Sequence, residues 1–275
     1  MNNYVFIFGP PRSGTSWLGQ IFNSSPHTFY IYQLLYFNRN KFTPTPEFLD
    51  KNFHRLIRHS EMFKGSFIPS DPGNLQAEGD AINYLNFPKE KDHTHVVLKH
   101  VRYHHLIQYF ITEHNAKVIG LVRNPLATIN SWLNAPKEFK KGLDPLKEWY
   151  GAPTKNSYKL CYEYAGYQNW ERIVRNYLKL KDMYPENFKL VKYSDLLGDT
   201  AEEKFKELFK FSNIELGENT TKFINNSHSK TGGTYSVFRE NKITDDGWKE
   251  TLMPEIRDEI INLCKSSYLD MFLEE

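Results

Sequence analysis

The 275-residue chain is poor in several features that would fix its class at once. Cysteine occurs only twice, at Cys161 and Cys264. That is too few, too far apart, for a disulfide-built secreted fold, and it is the usage expected of a reducing compartment. No apolar run approaches the roughly 20 residues that a membrane-spanning helix needs. Neither sign of charge is in excess: 35 Lys and Arg against 33 Asp and Glu leave +2. This balance excludes a nucleic-acid coat, and a polyanionic ligand would have to be met by a local cluster of cations. The first residues lack the positive charge and long apolar core of a signal peptide, because Tyr4–Phe8 is short and Pro10-Pro11 follows at once. A cytoplasmic protein is expected, and the sequons at Asn23, Asn219 and Asn225 carry little meaning there. No internal repeat or low-complexity tract occurs.

What is abundant is aromatic side chain, 15% of residues, enough to build walls around a ligand as well as a core. The apolar pattern alternates strand and helix. Strands are expected at Tyr4–Phe8, His95–Lys99, Lys117–Val122 and Phe188–Tyr193. Helices are expected at Gly14–Asn23, Glu47–His59, Tyr103–His114, Leu126–Leu133, Ser157–Tyr184 and Glu255–Lys265. Thr200-x-x-Glu203 reads as a capping box opening one more helix, to about Phe211. Residues 24–95 otherwise read as an irregular, substrate-binding insertion, and about 227–250 as a polar loop. The expected fold is α/β: a single domain over 1–275 with a central, mostly parallel sheet flanked by helices. Ligands of such sheets sit at the carboxyl ends of the strands.

The chemistry is concentrated in FIFGPPRSGTSWL, Phe6 to Leu18. Gly9 and Gly14 have the spacing of a P-loop, G-x-x-x-x-G-K-[ST], and Ser16 fills the hydroxyl position. The lysine is absent; Thr15 stands in its place and Arg12 has entered the loop. Strand, loop, arginine, hydroxyls and helix start together describe an anion site of backbone N–H groups and a permanent cation. Without the lysine, and with Arg123 where a metal-binding Asp would stand, ATP or GTP hydrolysis is disfavoured. Arg123-Asn124-Pro125 opens a helix at the end of the next strand, a second anion site beside the first.

GPPRSGTSWL followed by VIGLVRNPLATINSW resembles the sulfotransferases that use 3′-phosphoadenosine-5′-phosphosulfate, PAPS. The resemblance implies that Arg12, Ser13, Gly14, Thr15, Ser16 and Trp17 hold the 5′-phosphosulfate, and that Arg123 and Ser131 hold the 3′-phosphate. A late loop, Ser229 to Leu252, is similar to the family's nucleotide cover and brings Arg239, Gly247, Trp248 and Lys249 to the cofactor. The implied function is sulfuryl transfer from PAPS to a hydroxyl or amine of a small-molecule or carbohydrate acceptor, in line and without metal. The charge balance and the absence of a long apolar run lead us to expect no nucleic-acid partner and no membrane span. The alternative is a degenerate P-loop protein of nucleotide binding or phosphoryl transfer. Family members commonly take the acceptor's proton with a His on an early strand end or a Glu soon after the first helix. Here Gln33 stands where that Glu is expected and cannot act as a base. His100 is therefore the expected base, Lys99 the stabiliser of the leaving oxygen and Arg12 a further catalytic cation, with His27, His104, Glu78 and Asp80 in reserve. His100 and His104 are spaced as helical zinc ligands are, but no Glu follows the first and no third ligand is evident, so no metal is expected.

Overall fold

The computed structural model describes residues 3–35, 43–62, 87–90, 93–156, 165–227 and 244–273. Among them, five strands form one parallel sheet: β1 (Asn3–Phe8), β2 (Thr28–Tyr32), β3 (His95–His100), β4 (Lys117–Val122) and β5 (Phe188–Lys192). Their order is β2-β3-β1-β4-β5. The three central strands read VFIF, HVVLKH and VIGLV, nearly unbroken apolar runs, and they are buried on both faces. Such runs belong inside a helix-covered parallel sheet. The two outer strands, TFYIY and FKLVK, mix buried and part-exposed positions, as edges do.

β2 corrects the reading of 24–95 as an irregular insertion. Thr28–Tyr32 is an edge strand of the sheet, paired with β3 from Thr28↔His95 to Tyr32↔Lys99. Its brevity and polar ends concealed it, since a five-residue apolar run has no period long enough to read. The strands at His95–Lys99, Lys117–Val122 and Phe188–Tyr193 form as expected, to within a residue.

Alternate residues of each strand feed two cores. Phe6, Phe8, Val96, Leu98 and Val118 pack one face against α2 (Pro46–Met62), α3 (Ile107–His114), α6 (Tyr167–Met183) and α10 (Pro254–Ser266). Val5, Ile7, Val97, Ile119 and Leu121 pack the other against α1 (Thr15–Asn23), α7 (Ala201–Phe211) and α8 (Glu218–Ser227). Aromatic stacking ties the layers: Phe6 lies 4.1 Å from Phe110 between ring centroids, and Phe22 lies 4.5 Å from Phe209.

Two helix starts differ from expectation. Thr200 is not a capping residue: its backbone is helical (φ −86°, ψ −6°), a 3₁₀ turn over Gly198–Thr200 runs straight into α7, and its side chain makes no cap bond. A capping side chain needs extended backbone at that position to reach back to the first free N–H groups. The helix anticipated over Ser157–Tyr184 begins only at Tyr167. Gly166 precedes it at φ 84°, with the Tyr150 carbonyl 2.6 Å from where a Cβ would stand, so the backbone turns there. Residues 157–164 of that expectation lie outside the described residues. The helix behind Asn124 forms as α4 (Pro125–Leu133), its first turn capped by the Asn124 side chain, which accepts from Leu126 N–H at 2.9 Å, and the single-turn helix α5 (Pro145–Glu148) follows it. No helix among the described residues is long and apolar enough to cross a membrane.

The β4 glycine gives a direct check on the packing. A Cβ at Gly120 would stand 2.5 Å from Phe188 Cζ and 2.9 Å from Tyr177 Cδ2. Gly120→Ala should therefore destabilise the protein by about 1–3 kcal/mol, the usual cost of overpacking. Urea unfolding midpoints with an unchanged slope would register it.

Candidate functional site

The order of strands reverses its direction of growth between β1 and β4, and the two candidate anion loops leave the carboxyl ends of these neighbours. The first loop is wound by left-handed backbone at Arg12 (φ 68°) and Gly14 (φ 90°). Backbone of this kind turns successive N–H groups to a common side and makes an anion-binding concavity. Gly9 and Gly14 are both required: a Cβ at 9 would meet Ser13 Oγ at 2.6 Å, and one at 14 the Tyr193 ring at 2.5 Å. Gly14 gives α1 no side-chain cap, so the first N–H groups of that helix stay available to a ligand. Ser13 proves to be a brace: its buried hydroxyl donates to the Pro10 carbonyl at 2.5 Å. Thr15 is buried, while Ser16 is partly exposed. Trp17 packs edge-on to Tyr193 and Phe205, and its indole N–H donates to Ser227 Oγ at 2.9 Å.

The two arginines belong to one network. Arg123 donates through Nη1 to the Arg12 carbonyl at 2.7 Å. Its other edge grips the Asp245 carboxylate, Nε to Oδ2 at 2.6 Å and Nη2 to Oδ1 at 2.5 Å, with 8% and 3% of the two side chains exposed. Arg12 crosses toward α4: Nε donates to Ser131 Oγ at 3.1 Å, and Nη1 pairs with Glu138 at 3.3 Å. Ser131, expected beside Arg123, is thus held by the arginine of the other loop. Tyr193, just past β5, lies against the Gly14 turn and 5.3 Å from the Arg123 guanidinium carbon.

At the end of β3 the alternation of the strand separates two neighbours. Lys99 lies level with Ile7 and Tyr32, on the α1 face. Its Nζ stands 4.4 Å from the Tyr32 ring centroid. Burial lowers its pKa, and Tyr32 and Glu138 oppose the shift. Gln33, at φ 51°, accepts from Arg102 Nη1 at 3.2 Å through its side-chain oxygen, an amide where a carboxylate was expected.

His100 faces the other way, and the expectation that it takes the acceptor's proton fails on this geometry. Level with Phe8, it stacks on Phe6 and Phe8 at 6.2 and 5.4 Å and is 1% exposed. Burial, with Lys99 and His104 adding like charge, pushes its pKa down to about 3. Its Nε2 makes no hydrogen bond among the described residues. His104 is also committed to the interior, between Tyr177 Oη at 2.9 Å and the Val101 carbonyl at 3.3 Å, so it is neither base nor zinc ligand with His100. His27 pairs with Glu90 at 2.9 Å beside the amino end of β2, remote from the carboxyl edge. Glu78, Asp80 and Arg239 lie outside the described residues. Trp248 is buried in the core, in the short helix α9 (Trp248–Thr251) that packs on α4, where Thr251 Oγ1 accepts from Asn130 at 2.8 Å. Gly247 is exposed and Lys249 pairs with Asp246 at 3.5 Å.

Tyr32, Glu138, Tyr193 and Asp245 escaped the sequence reading. Tyr32 and Tyr193 stand at or just past strand ends, a signal that the carboxyl-edge rule offers. Asp245 had only its place two residues before Gly247. The donor set of three cations, two hydroxyls and an uncapped helix start is matched to phosphate and sulfate oxygens.

Comparison with known proteins agrees with that chemistry. The family model described as sulfotransferase domain matches residues 2–272. Carbohydrate sulfotransferase 1 of Mus musculus is 23% identical over a 327-residue alignment, covering 95% of this chain and 77% of that protein. The crystal structure of mouse sulfotransferase SULT7A1 complexed with PAP superposes with a TM-score of 0.58 at 15% identity, over 96% of this chain and 83% of that one. A sulfotransferase from Alicyclobacillus acidocaldarius gives 0.54 at 14% identity, over 99% and 96%. At these identities the structural likeness is one of fold.

The two buried histidines make acid a specific stress. Each has a folded pKa of about 3 against an ordinary 6.5, so the unfolded chain binds protons that the folded chain refuses. Their contribution is complete above 6.5 and is lost as pH falls toward 3. The slope approaches about 1.4 kcal/mol per pH unit for each histidine. His100→Phe, which keeps an aromatic ring in the stack, should flatten that decline, read as urea midpoints at about pH 7 and about pH 5.

Proposed function

The chain belongs to the sulfotransferase family, and from that premise we propose that it moves a sulfuryl group from PAPS to a hydroxyl or amine of a small-molecule or carbohydrate acceptor. The observation that carries this reading is the junction of the two arginine loops at the switch point, Arg123 Nη1 on the Arg12 carbonyl. It gives one ligand two cationic anchors, and PAPS has an anion at each end of its nucleotide. In this reading Arg12, Gly14, Thr15, Ser16 and the start of α1 hold the 5′ end. Arg123, with Ser131 nearby through Arg12, holds the 3′-phosphate. That phosphate competes with the Asp245 carboxylate for Nε and Nη2 of Arg123. Trp17 and Tyr193 wall the space between. PAPS supplies the sulfuryl group; the protein fixes both nucleotide ends, so that attack on sulfur is in line with departure of the phosphate oxygen. Charge growing on that oxygen is met by Arg12, Lys99 and the helix N–H groups, without need of a metal.

The carbohydrate sulfotransferase among the relatives makes a sugar hydroxyl the first acceptor to try. For location the reading stays with the cytoplasm, supported by the sparse cysteines and by Cys264 as a buried free thiol.

Calorimetric titration in a chelator tests the proposal. The product nucleotide PAP should bind and ATP should bind far more weakly. Arg123→Ala should cost PAP about 1.5–3 kcal/mol, the range of a hydrogen-bonded charge, and should cost the analogue lacking the 3′-phosphate much less. Any general damage from leaving Asp245 unpaired affects both nucleotides alike and cancels in the comparison. Metal-dependent ATP binding, or equal losses for the two adenosine nucleotides, would instead support the degenerate P-loop alternative.

A further inference from the structure

The sulfotransferase reading needs a group to accept the acceptor's proton, and with Gln33 amidated by sequence and His100 in the core, neither expected base is in place. We infer that Tyr32 is that group, a catalytic tyrosine whose phenol oxygen receives the proton of the acceptor hydroxyl beside Lys99 and the phosphate loop. This rests on the proposed function above and adds a residue to it.

Three observations support Tyr32. It closes β2 at the carboxyl edge, level with Lys99, and its side chain is partly exposed where Lys99 is buried. Its hydroxyl is hydrogen-bonded with Ser16 of the phosphate loop, with Gln33 and with Lys99, so it joins the loop to the buried ammonium. And Lys99 Nζ, on a buried side chain, stands 4.4 Å from the ring centroid, a cation held against the phenol. Burial alone would raise the phenol's pKa; the Lys99 charge and the hydrogen bonds of Gln33, Ser16 and Lys99 outweigh it and bring the pKa below the ordinary 10.0. Burial lowers the pKa of Lys99 at the same time, and Tyr32 opposes that shift, so the charge of each group acts on the other. The other charges that face the pair are Arg102, which lowers Lys99, and Glu138, which raises it; Glu138 is itself engaged by Arg12.

The step balances. The ionised form of Tyr32, a phenolate beside the Lys99 ammonium whose share grows as pH rises, takes the proton from the acceptor hydroxyl. The acceptor oxygen forms its bond to sulfur while the bond between sulfur and the 5′-phosphate oxygen breaks, and that oxygen leaves as part of PAP. Tyr32 then gives its proton to solvent and is phenolate again. Glu138 is the competing base within reach of Lys99, but its carboxylate is already bound to the Arg12 guanidinium at 3.3 Å.

Phenolate absorbance followed through an alkaline titration of the intact protein tests this without any acceptor. One tyrosine should ionise ahead of the rest; that early phase should vanish in Tyr32→Phe and move to higher pH in Lys99→Met. With PAPS and the best acceptor from a panel of simple sugars and alcohols, Tyr32→Phe should lower turnover by about 10²- to 10⁴-fold. The limb of the rate profile that rises with pH should go with it, and PAP affinity should change by less than about threefold. An early phase that persists in Tyr32→Phe overturns the inference. So does retained turnover in Tyr32→Phe, and so does Glu138→Gln removing the rising limb while Tyr32→Phe keeps it. If PAP binds neither the parent nor the variant, the nucleotide reading has failed, and the absorbance titration still decides whether Tyr32 is the ionising group.

Discussion

Arg123 is the constraint around which the site is assembled. A guanidinium with 8% of its side chain exposed cannot be left without oxygen partners, because a buried unpaired charge costs several kcal/mol. It finds three: both Asp245 oxygens and the Arg12 carbonyl. These oxygens lie on two separate stretches of chain, so satisfying one cation ties the end of β4 to the phosphate loop after β1 and to the segment leading into α9. The carbonyl contact also bears on the left-handed backbone of Arg12, which a non-glycine residue adopts at some cost. The interaction that turns that carbonyl toward Arg123 is part of what holds the loop in its unusual shape.

The same principle runs through the rest of the edge. Arg12 has Glu138 and Ser131; Lys99 has the Tyr32 hydroxyl. Each of these three cations is already provided with oxygen from the chain, so an anionic ligand enters by exchange rather than by filling bare charge. Exchange gives less affinity per contact than a naked site would, but it keeps the arginines in defined orientations. It also places the discriminating power in geometry, in which anion fits the turn at Gly14 and the fork of Arg123, more than in net charge. The protein's overall balance of +2 is consistent with recognition of that kind.

Much of this was legible in the residues. The strand, glycine spacing and arginine of the first loop, and the Arg-Asn-Pro start of α4, are local patterns, and each forms where the pattern places it. What could not be read depended on information that the local sequence does not carry. β2 is an edge strand too short to show a period. Thr200 has the composition of a cap, but a preceding 3₁₀ turn takes over its backbone. His100 and Lys99 look equally suited to catalysis, and only the pairing of β3 with β1 and β2 decides which side chain faces α1. Asp245 and Tyr32 acquire meaning through partners far off in sequence, Asp245 across 122 residues.

That pairing has a consequence for how the gene can change. Along β3 every residue is buried and successive side chains go to opposite sides, Lys99 toward the loop and His100 into the aromatic stack. Substitutions there alter one contact at a time. Loss or gain of a single codon upstream of Lys99 within the strand would exchange the two environments together, carrying the ammonium into the stack of Phe6 and Phe8 and another side chain into its place. In a lineage descending from this protein, drift in length should therefore be accommodated in the connecting loops, while β3 keeps its reading length even where its letters change.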